Sequence, residues 1–195
     1  MSQARDQSAD DYRLLCRDLP AEGEVVIVRQ FITATEHHAL LAWAEECFDS
    51  GRLSPNRAGP NRYYARFDET AAVPVSFWEI RDRAIAHFSI TDYEYEPMFK
   101  CFLGCNAENG FVHSHLDRES SGRRHVRMNI MLSKPAAGGH PVVQGKEIEI
   151  NERDLWCFYP ARMLHGSTPV VGARKRFVLS IGILVQSTQE LQIRL

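Results

Sequence analysis

Two periodicities divide this chain. Before about residue 90 the apolar positions recur mainly at helical intervals; from Tyr93 onward they fall in short runs of strand composition separated by turn residues. The segment Glu24 to Phe31 is rich in β-branched residues and predicts a strand. Thr33-Ala34-Thr35-Glu36 has the spacing of a capping box, and Leu40, Leu41, Trp43, Ala44 and Cys47 follow at helical spacing, which predicts a helix from about Thr35 to Asp49. His37 and His38 fall in its first turn and are expected at a solvated surface. Pro74 is suited to open a second helix carrying Phe77, Trp78, Ile80, Arg81, Ala84, Ile85 and Phe88. Ahead of these, a polar tail over residues 1–10 precedes a short helix around Asp11 to Arg17, ended by Pro20 and Gly23. Gly51 to Asn61 is a loop by its glycines, prolines and asparagines. Asn61 to Phe67 reads either as an edge strand guarded by arginines or as a lid segment.

The second half predicts strands over Tyr95 to Gly104, Gly110 to His115, His125 to Ser133, Pro141 to Gln144, Lys146 to Ile150, Asp154 to Tyr159 and Arg176 to Val185. Asn109-Gly110, Gly138-Gly139 and Val171-Gly172 supply turn signals between them. So many short strands with almost no helix indicate an antiparallel sandwich or barrel, because the connections are too short for parallel crossovers. A double-stranded β-helix, or jelly roll, is one of the few solutions, giving a mainly β (α+β) single domain 1–195 with its β core over about residues 93–186. Two N-terminal helices would buttress its larger sheet.

Composition narrows the class without choosing it. The chain has 195 residues, 44% of them hydrophobic and 25% charged, with a net charge of −2 and a pI near 6.4. That balance points neither to nucleic acid nor to an anionic membrane surface. No apolar run approaches the roughly 18 residues that span a bilayer, and the polar N-terminus lacks the apolar stretch of a signal peptide, so a cytoplasmic location is expected. The cysteines Cys16, Cys47, Cys101, Cys105 and Cys157 are odd in number and scattered, which predicts reduced, buried thiols rather than a disulfide framework.

The chemistry concentrates at Phe111-Val112-His113-Ser114-His115-Leu116-Asp117. In extended chain residues i and i+2 point the same way, so His115 and Asp117 can aim an imidazole and a carboxylate at one point. His165, 48 residues after Asp117, is the candidate third ligand. Two histidines and one carboxylate leave coordination positions open, the arrangement suited to non-haem Fe(II) oxygenases. A deep cation, preferably arginine for its paired donors, would then hold the far carboxylate of a 2-oxo acid cosubstrate. The sequence has no GxGxxG, GxSxG or GxxxxGK[ST] motif. The run is also HxHxD, as in metallo-hydrolases, but those need a histidine directly after the aspartate and position 118 is Arg. His113 therefore reads either as a residue behind the ligands or facing substrate, or as a surface histidine.

On these residues the chain resembles the Fe(II)/2-oxoglutarate-dependent oxygenases, particularly their prolyl-hydroxylase-like branch, over roughly Tyr93 to Val185. The motifs are His115-Leu116-Asp117, the distal His165, and Arg176, 11 positions on, heading the apolar strand Arg176-Phe177-Val178-Leu179-Ser180-Ile181. Arg174 is the fallback for the same role. The resemblance implies Fe(II) on His115, Asp117 and His165, 2-oxoglutarate on Arg176 with Asn129 and perhaps Arg127 near it, and O2 as oxidant. Succinate and carbon dioxide would be released as a C–H bond is hydroxylated. The strand Arg124 to Ser133 would turn Arg127, Asn129 and Met131 inward; the family often has a tyrosine there, so cosubstrate contacts can differ. An intact aspartate at 117 favours hydroxylation over halogenation, with desaturation and cyclisation open. The mouth is expected at Gly51 to Asn61, Arg62 to Phe67 and Glu119 to Arg123, where Arg62, Arg66 and Arg123 suit a polar group of a small-molecule or peptide substrate. His125 lines the pocket or is an ordinary strand histidine; His87 and His140 are structural or surface residues, and Trp43, Trp78 and Trp156 are core aromatics. A non-catalytic cupin-like binding protein is the alternative of another class. A nucleic-acid repair dioxygenase is disfavoured, since Arg174-Lys175-Arg176-Phe177-Val178 stands where such enzymes carry an Arg-x-Asn-x-Thr-type signature. Nothing in the pattern sets an oligomeric state.

Overall fold

A computed structural model describes residues 23–67, 73–118 and 122–186. The expected helix around Asp11 to Arg17 and Cys16 lie outside the described residues. The first strand, β1 (Val26–Val28), leads through Thr33 into α1 (Ala34–Asp49). The expected capping box is present: the Thr33 hydroxyl accepts from the Glu36 amide at 3.2 Å and the Glu36 carboxylate accepts from the Thr33 amide at 2.8 Å. Two of the amides that a helix start leaves without intrahelical partners are thereby satisfied. His37 is half-buried rather than solvated, and its Nε2 lies 2.6 Å from the Leu132 carbonyl, tying the helix to the sheet.

The chain continues through β2 (Ser54–Pro55), β3 (Arg62–Arg66) and α2 (Val75–His87), where Pro74 stands just before the first helical residue. β4 (Tyr93–Tyr95) and β5 (Cys101–Asn106) replace the single strand expected over Tyr95 to Gly104. Both pieces lie along the same partner, β13 (Arg176–Gln186), at Ile183–Val185 and Arg176–Ile181 respectively. The chain leaves that line between them, where the Glu96 carboxylate accepts the amides of Met98 and Phe99. The remaining elements are β6 (Arg123–Ser133), β7 (Ala137–Gly138), β8 (Pro141–Val143), β9 (Lys146–Glu147), β10 (Leu155–Phe158), β11 (His165–Ser167) and β12 (Val170–Val171).

The larger sheet runs β1-β10-β6-β13-β5-β3-β2, with β4 also on β13; β11-β8-β9 and β12-β7 form the smaller layer. Mostly β, antiparallel and with two helices among the described residues, this is the expected double-stranded β-helix. The Asn61 to Phe67 segment is the strand β3, covered on its outer side by the two-residue β2.

Alternation along each long strand separates two environments. Val126, Met128, Ile130 and Leu132 of β6, Leu155 and Cys157 of β10, and Phe177, Leu179, Ile181 and Ile183 of β13 face the core with Leu40, Trp43, Ala44, Cys47, Phe77, Ile80 and Ala84 of the helices. Each such aliphatic or aromatic side chain taken out of water contributes about 1.5–3 kcal/mol. Trp43 stacks on Phe67 at 5.4 Å, a core position as expected. Cys47, Cys101, Cys105 and Cys157 are free and buried. The opposite face of the same strands looks into a cavity.

The segment Gly110 to His115, expected as a strand, is extended chain with a single bridge, His115 to His165. Its other backbone groups are satisfied irregularly. The His113 amide donates to the Ala58 carbonyl at 2.8 Å and the Val112 amide to Ser167 Oγ at 3.0 Å. The loop from β2 approaches so closely that a Cβ on Gly59 would lie 1.7 Å from the Phe111 carbonyl oxygen. Contact with a loop on one side and β11 on the other replaces a regular ladder here.

Candidate functional site

The His115–His165 bridge sets the geometry of the site. Residues directly opposite in an antiparallel pair share a face, and the two imidazoles lie with ring centroids 4.3 Å apart. Asp117 Oδ1 stands 3.4 Å from His115 Nε2 and 4.0 Å from His165 Nε2. The three ligand atoms lie within 4.8 Å of one another, close enough to hold one metal ion. The ring orientation suits that use. His115 Nδ1 is 2.7 Å from the His113 carbonyl and His165 Nδ1 is 3.0 Å from the Met163 carbonyl. A carbonyl only accepts, so each Nδ1 carries a proton and each Nε2 is turned toward the cluster, where a neutral ring would offer its lone pair to a metal; without one, His115 Nε2 meets Asp117 Oδ1 as a donor.

Asp117 is held from behind. Its Oδ2 lies 3.4 Å from the Arg127 guanidinium and 3.7 Å from His125 Nδ1, leaving Oδ1 toward the histidines. Burial disfavours the charged carboxylate, but the hydrogen bond from His115 and the charge of Arg127 hold Asp117 well below the usual carboxylate range. The His115 hydrogen bond to Asp117 raises the pKa of that histidine, whereas burial pushes His165 down to about 4 and His125 to about 3. Arg127 also donates to the Phe99 carbonyl at 2.8 Å and lies 3.7 Å from Glu96. It can occupy this place because its neighbour across β13 is Gly182, where a Cβ would meet the guanidinium at 2.5 Å. A glycine inside a strand often marks such a close approach.

The cavity beside this cluster has a volume of about 180 Å³, several times a water molecule's share of the liquid, about 30 Å³, and so is ligand-sized. Of the residues expected there, His115, Asp117, His165, Arg176, Arg127, Asn129 and Arg62 line it. Arg174 does not: its side chain is 56% exposed and pairs with Glu152 on the surface. It precedes the first residue of β13, so strand alternation does not carry it inward. His113 is exposed, its ring against Phe111 at 4.8 Å, and it serves the site through its carbonyl. The HxHxD run therefore brings two of its three polar side chains to the cluster. Arg66 reaches the Met98 carbonyl and Arg123 pairs with Asp92 and Glu94, both away from the cavity lining. Residues 119–121 of the expected rim lie outside the described residues.

Other lining residues carried no such expectation. Trp156 and Phe158 line the cavity from β10, opposite Asn129 and Arg127, so Trp156 is buried in the core as expected and is a site wall as well. Phe158 packs on the His165 ring at 5.1 Å. Ser180 Oγ, fully buried on β13, has no hydrogen-bond partner among the described residues, and Tyr64, Phe99 and Phe102 form an aromatic wall with centroids 5.8 and 5.9 Å apart.

Whether a 2-oxo dicarboxylate fits is decided by Arg176. This guanidinium is 8% exposed, its Nε makes no hydrogen bond, and no carboxylate among the described residues pairs with it. Burial pushes its pKa down to about 10, still far above neutrality, so it remains a cation in the cavity wall. An unpaired buried charge is costly unless a counter-ion meets it. Ser180 and Asn129, on the same face of adjacent strands, add hydroxyl and amide groups in the same wall. The donor set therefore fits a carboxylate-bearing cosubstrate.

The fold is a double-stranded β-helix, one that the chain shares with solved Fe- and 2-oxoglutarate-dependent oxygenases. Among solved structures, the chain is similar to a prolyl-4-hydroxylase of Pseudomonas putida, with 20% identity over 90% of this chain and 98% of that one and a TM-score of 0.66. It is also similar to a prolyl hydroxylase from Trichoplax adhaerens solved with a hypoxia inducible factor peptide fragment, at 15% identity, 100% and 99% coverage and a TM-score of 0.71. A third, the α-ketoglutarate dependent epimerase SnoN from nogalamycin biosynthesis, gives 13% identity, 93% and 85% coverage and a TM-score of 0.66. At these identities the likeness is one of fold. No family model and no curated protein sequence matches the chain.

Proposed function

We propose that this chain is an Fe(II)- and 2-oxoglutarate-dependent dioxygenase that hydroxylates a C–H bond of a small molecule, amino acid or peptide side chain. The observation that carries the reading is the placement, in one cavity wall, of a two-histidine, one-carboxylate cluster and a buried arginine without a counter-ion. The structural neighbours support it: a viral collagen prolyl hydroxylase was solved as a 2-oxoglutarate complex, and HygX of Streptomyces hygroscopicus with nickel and 2-oxoglutarate. Their range, from prolyl hydroxylases to an epimerase, shows that the fold alone does not set the reaction type.

In this assignment His115, Asp117 and His165 hold the metal, and the carbonyls of His113 and Met163 keep both rings in the coordinating tautomer. Bound there, the metal would couple oxidative decarboxylation of 2-oxoglutarate to insertion of one oxygen atom of O2 into the substrate C–H bond, the other going to succinate. Arg176 takes the far carboxylate of the cosubstrate, with Ser180 and Asn129 beside it. Arg127 fixes Asp117 so that one oxygen serves the cluster. Trp156 and Phe158 keep water from the histidine side of the cavity.

The test is anaerobic titration with Fe(II) and 2-oxoglutarate, following the weak visible band expected of the metal chelate. The wild type should show it; His165→Ala and Arg176→Ala should lose or strongly weaken it. A wild type without the band, or variants that keep it unchanged, would defeat the assignment.

A further inference from the structure

The cavity holds one more cation than the proposed reaction uses. Arg62, at the start of β3, faces the cavity in the same row as Asn106 and Arg176, across three adjacent strands. Among the described residues its side chain makes one hydrogen bond, to Asn56 Oδ1 at 3.4 Å, and no carboxylate lies within ion-pair distance. Burial pushes its pKa down to about 10, still far above neutrality, and the charge of Asp117 opposes that fall, so Arg62 remains a cation in the cavity that the metal cluster also lines.

Charges can be matched group by group. Asp117 and the near carboxylate of 2-oxoglutarate meet a divalent metal, the far carboxylate meets Arg176, and Glu96 meets Arg127 at 3.7 Å. With both histidines neutral, Arg62 alone is left over. Exchanging Arg62 and Arg176 as partner of the cosubstrate would still leave one guanidinium free. Arg62 is the one that feels the charge of Asp117, whereas Arg176 is flanked by Arg62 and by the buried, neutral Cys105 thiol.

Arg62 is also fixed relative to the metal-bearing segment. The loop before it accepts the His113 amide through Ala58 and meets Phe111 at Gly59 without room for a side chain; Asn61 bonds Glu108 and Ala107. Such preorganisation lowers the ordering cost of binding. Beside Arg62 stands the aromatic wall of Tyr64, Phe99 and Phe102, which suits an apolar body attached to the anion.

Resting on the oxygenase reading, we infer that the primary substrate is a small monocarboxylate with an apolar body, held through its carboxylate by Arg62 next to the metal cluster. Arg66 and Arg123, which point elsewhere, take no part.

The test uses the full chain loaded anaerobically with Fe(II) and saturating 2-oxoglutarate, and reads binding by calorimetry and by perturbation of the visible band. The probes are a panel of aliphatic and arylalkyl monocarboxylates, isocaproate and hydrocinnamate among them, each against its primary amide. A charge-assisted pair predicts acids bound roughly 10–100-fold more tightly than amides. Arg62→Gln should abolish that preference and Arg62→Lys retain part of it, with the thermal midpoint measured for each. Equal binding of acids and amides, or a preference that survives Arg62→Gln, overturns the inference. So does an Arg62→Gln chain that loses the 2-oxoglutarate band, which would assign Arg62 to the cosubstrate. A wild type with no band at all sinks the oxygenase reading itself, and with it the identification of the anion as substrate.

Discussion

The two faces of the larger sheet come from the same strands but solve different problems. On the helix side of β6, Val126, Met128, Ile130 and Leu132 are fully buried among apolar neighbours. On the cavity side His125, Arg127 and Asn129 are nearly as buried yet polar, beside Arg176 and the unpartnered Ser180 hydroxyl. Burying such groups without partners opposes folding, so the helix face must supply the stability that the cavity face spends. Chemistry is thus placed on the strands whose other side is best packed.

The largest effect that separates the faces is loss of a metal ligand. His165→Ala or Asp117→Ala should reduce 2-oxoglutarate turnover well beyond the roughly 10–100-fold that changes behind a metal's ligands cost, with little change in the denaturant midpoint. Adjacent residues sharpen the contrast next. Ile130→Ala should cost about 2–5 kcal/mol of stability, whereas Asn129→Ala, one residue away on the other face, should stay within roughly 1 kcal/mol and instead weaken 2-oxoglutarate binding. Equal destabilisation by both would show that the faces are not energetically distinct. Gly182→Ala lies between the two cases. Its methyl would displace Arg127 from Asp117, and metal affinity should fall by roughly 10–100-fold, measured by titration of the purified chain.

How much of this was legible in the sequence differs by element. α1 was, because Thr33 and Glu36 mark its start and five apolar residues keep helical register after them. β6 and β13 were, as long runs rich in strand formers. The break between β4 and β5 had a signal in Pro97, which interrupts a strand-like run, but the aromatic and apolar residues on either side hid it, and both pieces pair with the same strand. Of the site, His115, Asp117, His165 and Arg176 could be found from spacing and resemblance, and they do converge on one cavity. Trp156 and Phe158 could not, because β10 is apolar on both faces and alternation then carries no contrast. Arg174 and Arg176 have the same parity, but only the second lies within the strand. The grip of Arg127 on Asp117, and the dependence of Arg127 on Gly182, are contacts between separate elements, to which local pattern is blind.

The smallest effect tests how far the helix side's contribution reaches beyond the sheet. Glu36 caps α1 and also makes two 2.9 Å contacts with Arg83 of α2, so one carboxylate links both buttressing helices. The hydrogen bond from Arg83, opposed by burial and aided by Thr33, holds its pKa below the ordinary value. A carboxylate whose pKa is lower folded than unfolded contributes stability above its unfolded pKa and loses it as pH falls through the folded one. Glu36→Gln should therefore cost about 1 kcal/mol at neutral pH and progressively less in acid, where wild type and variant converge. Denaturation measured from pH about 7 down to about 3, across the ordinary glutamate range, checks this. A gap that stays constant with pH would mean that the capping geometry, not the carboxylate charge, joins the helices. In either case 2-oxoglutarate binding should be unaffected, since Glu36 lies on the side of the sheet that carries no chemistry.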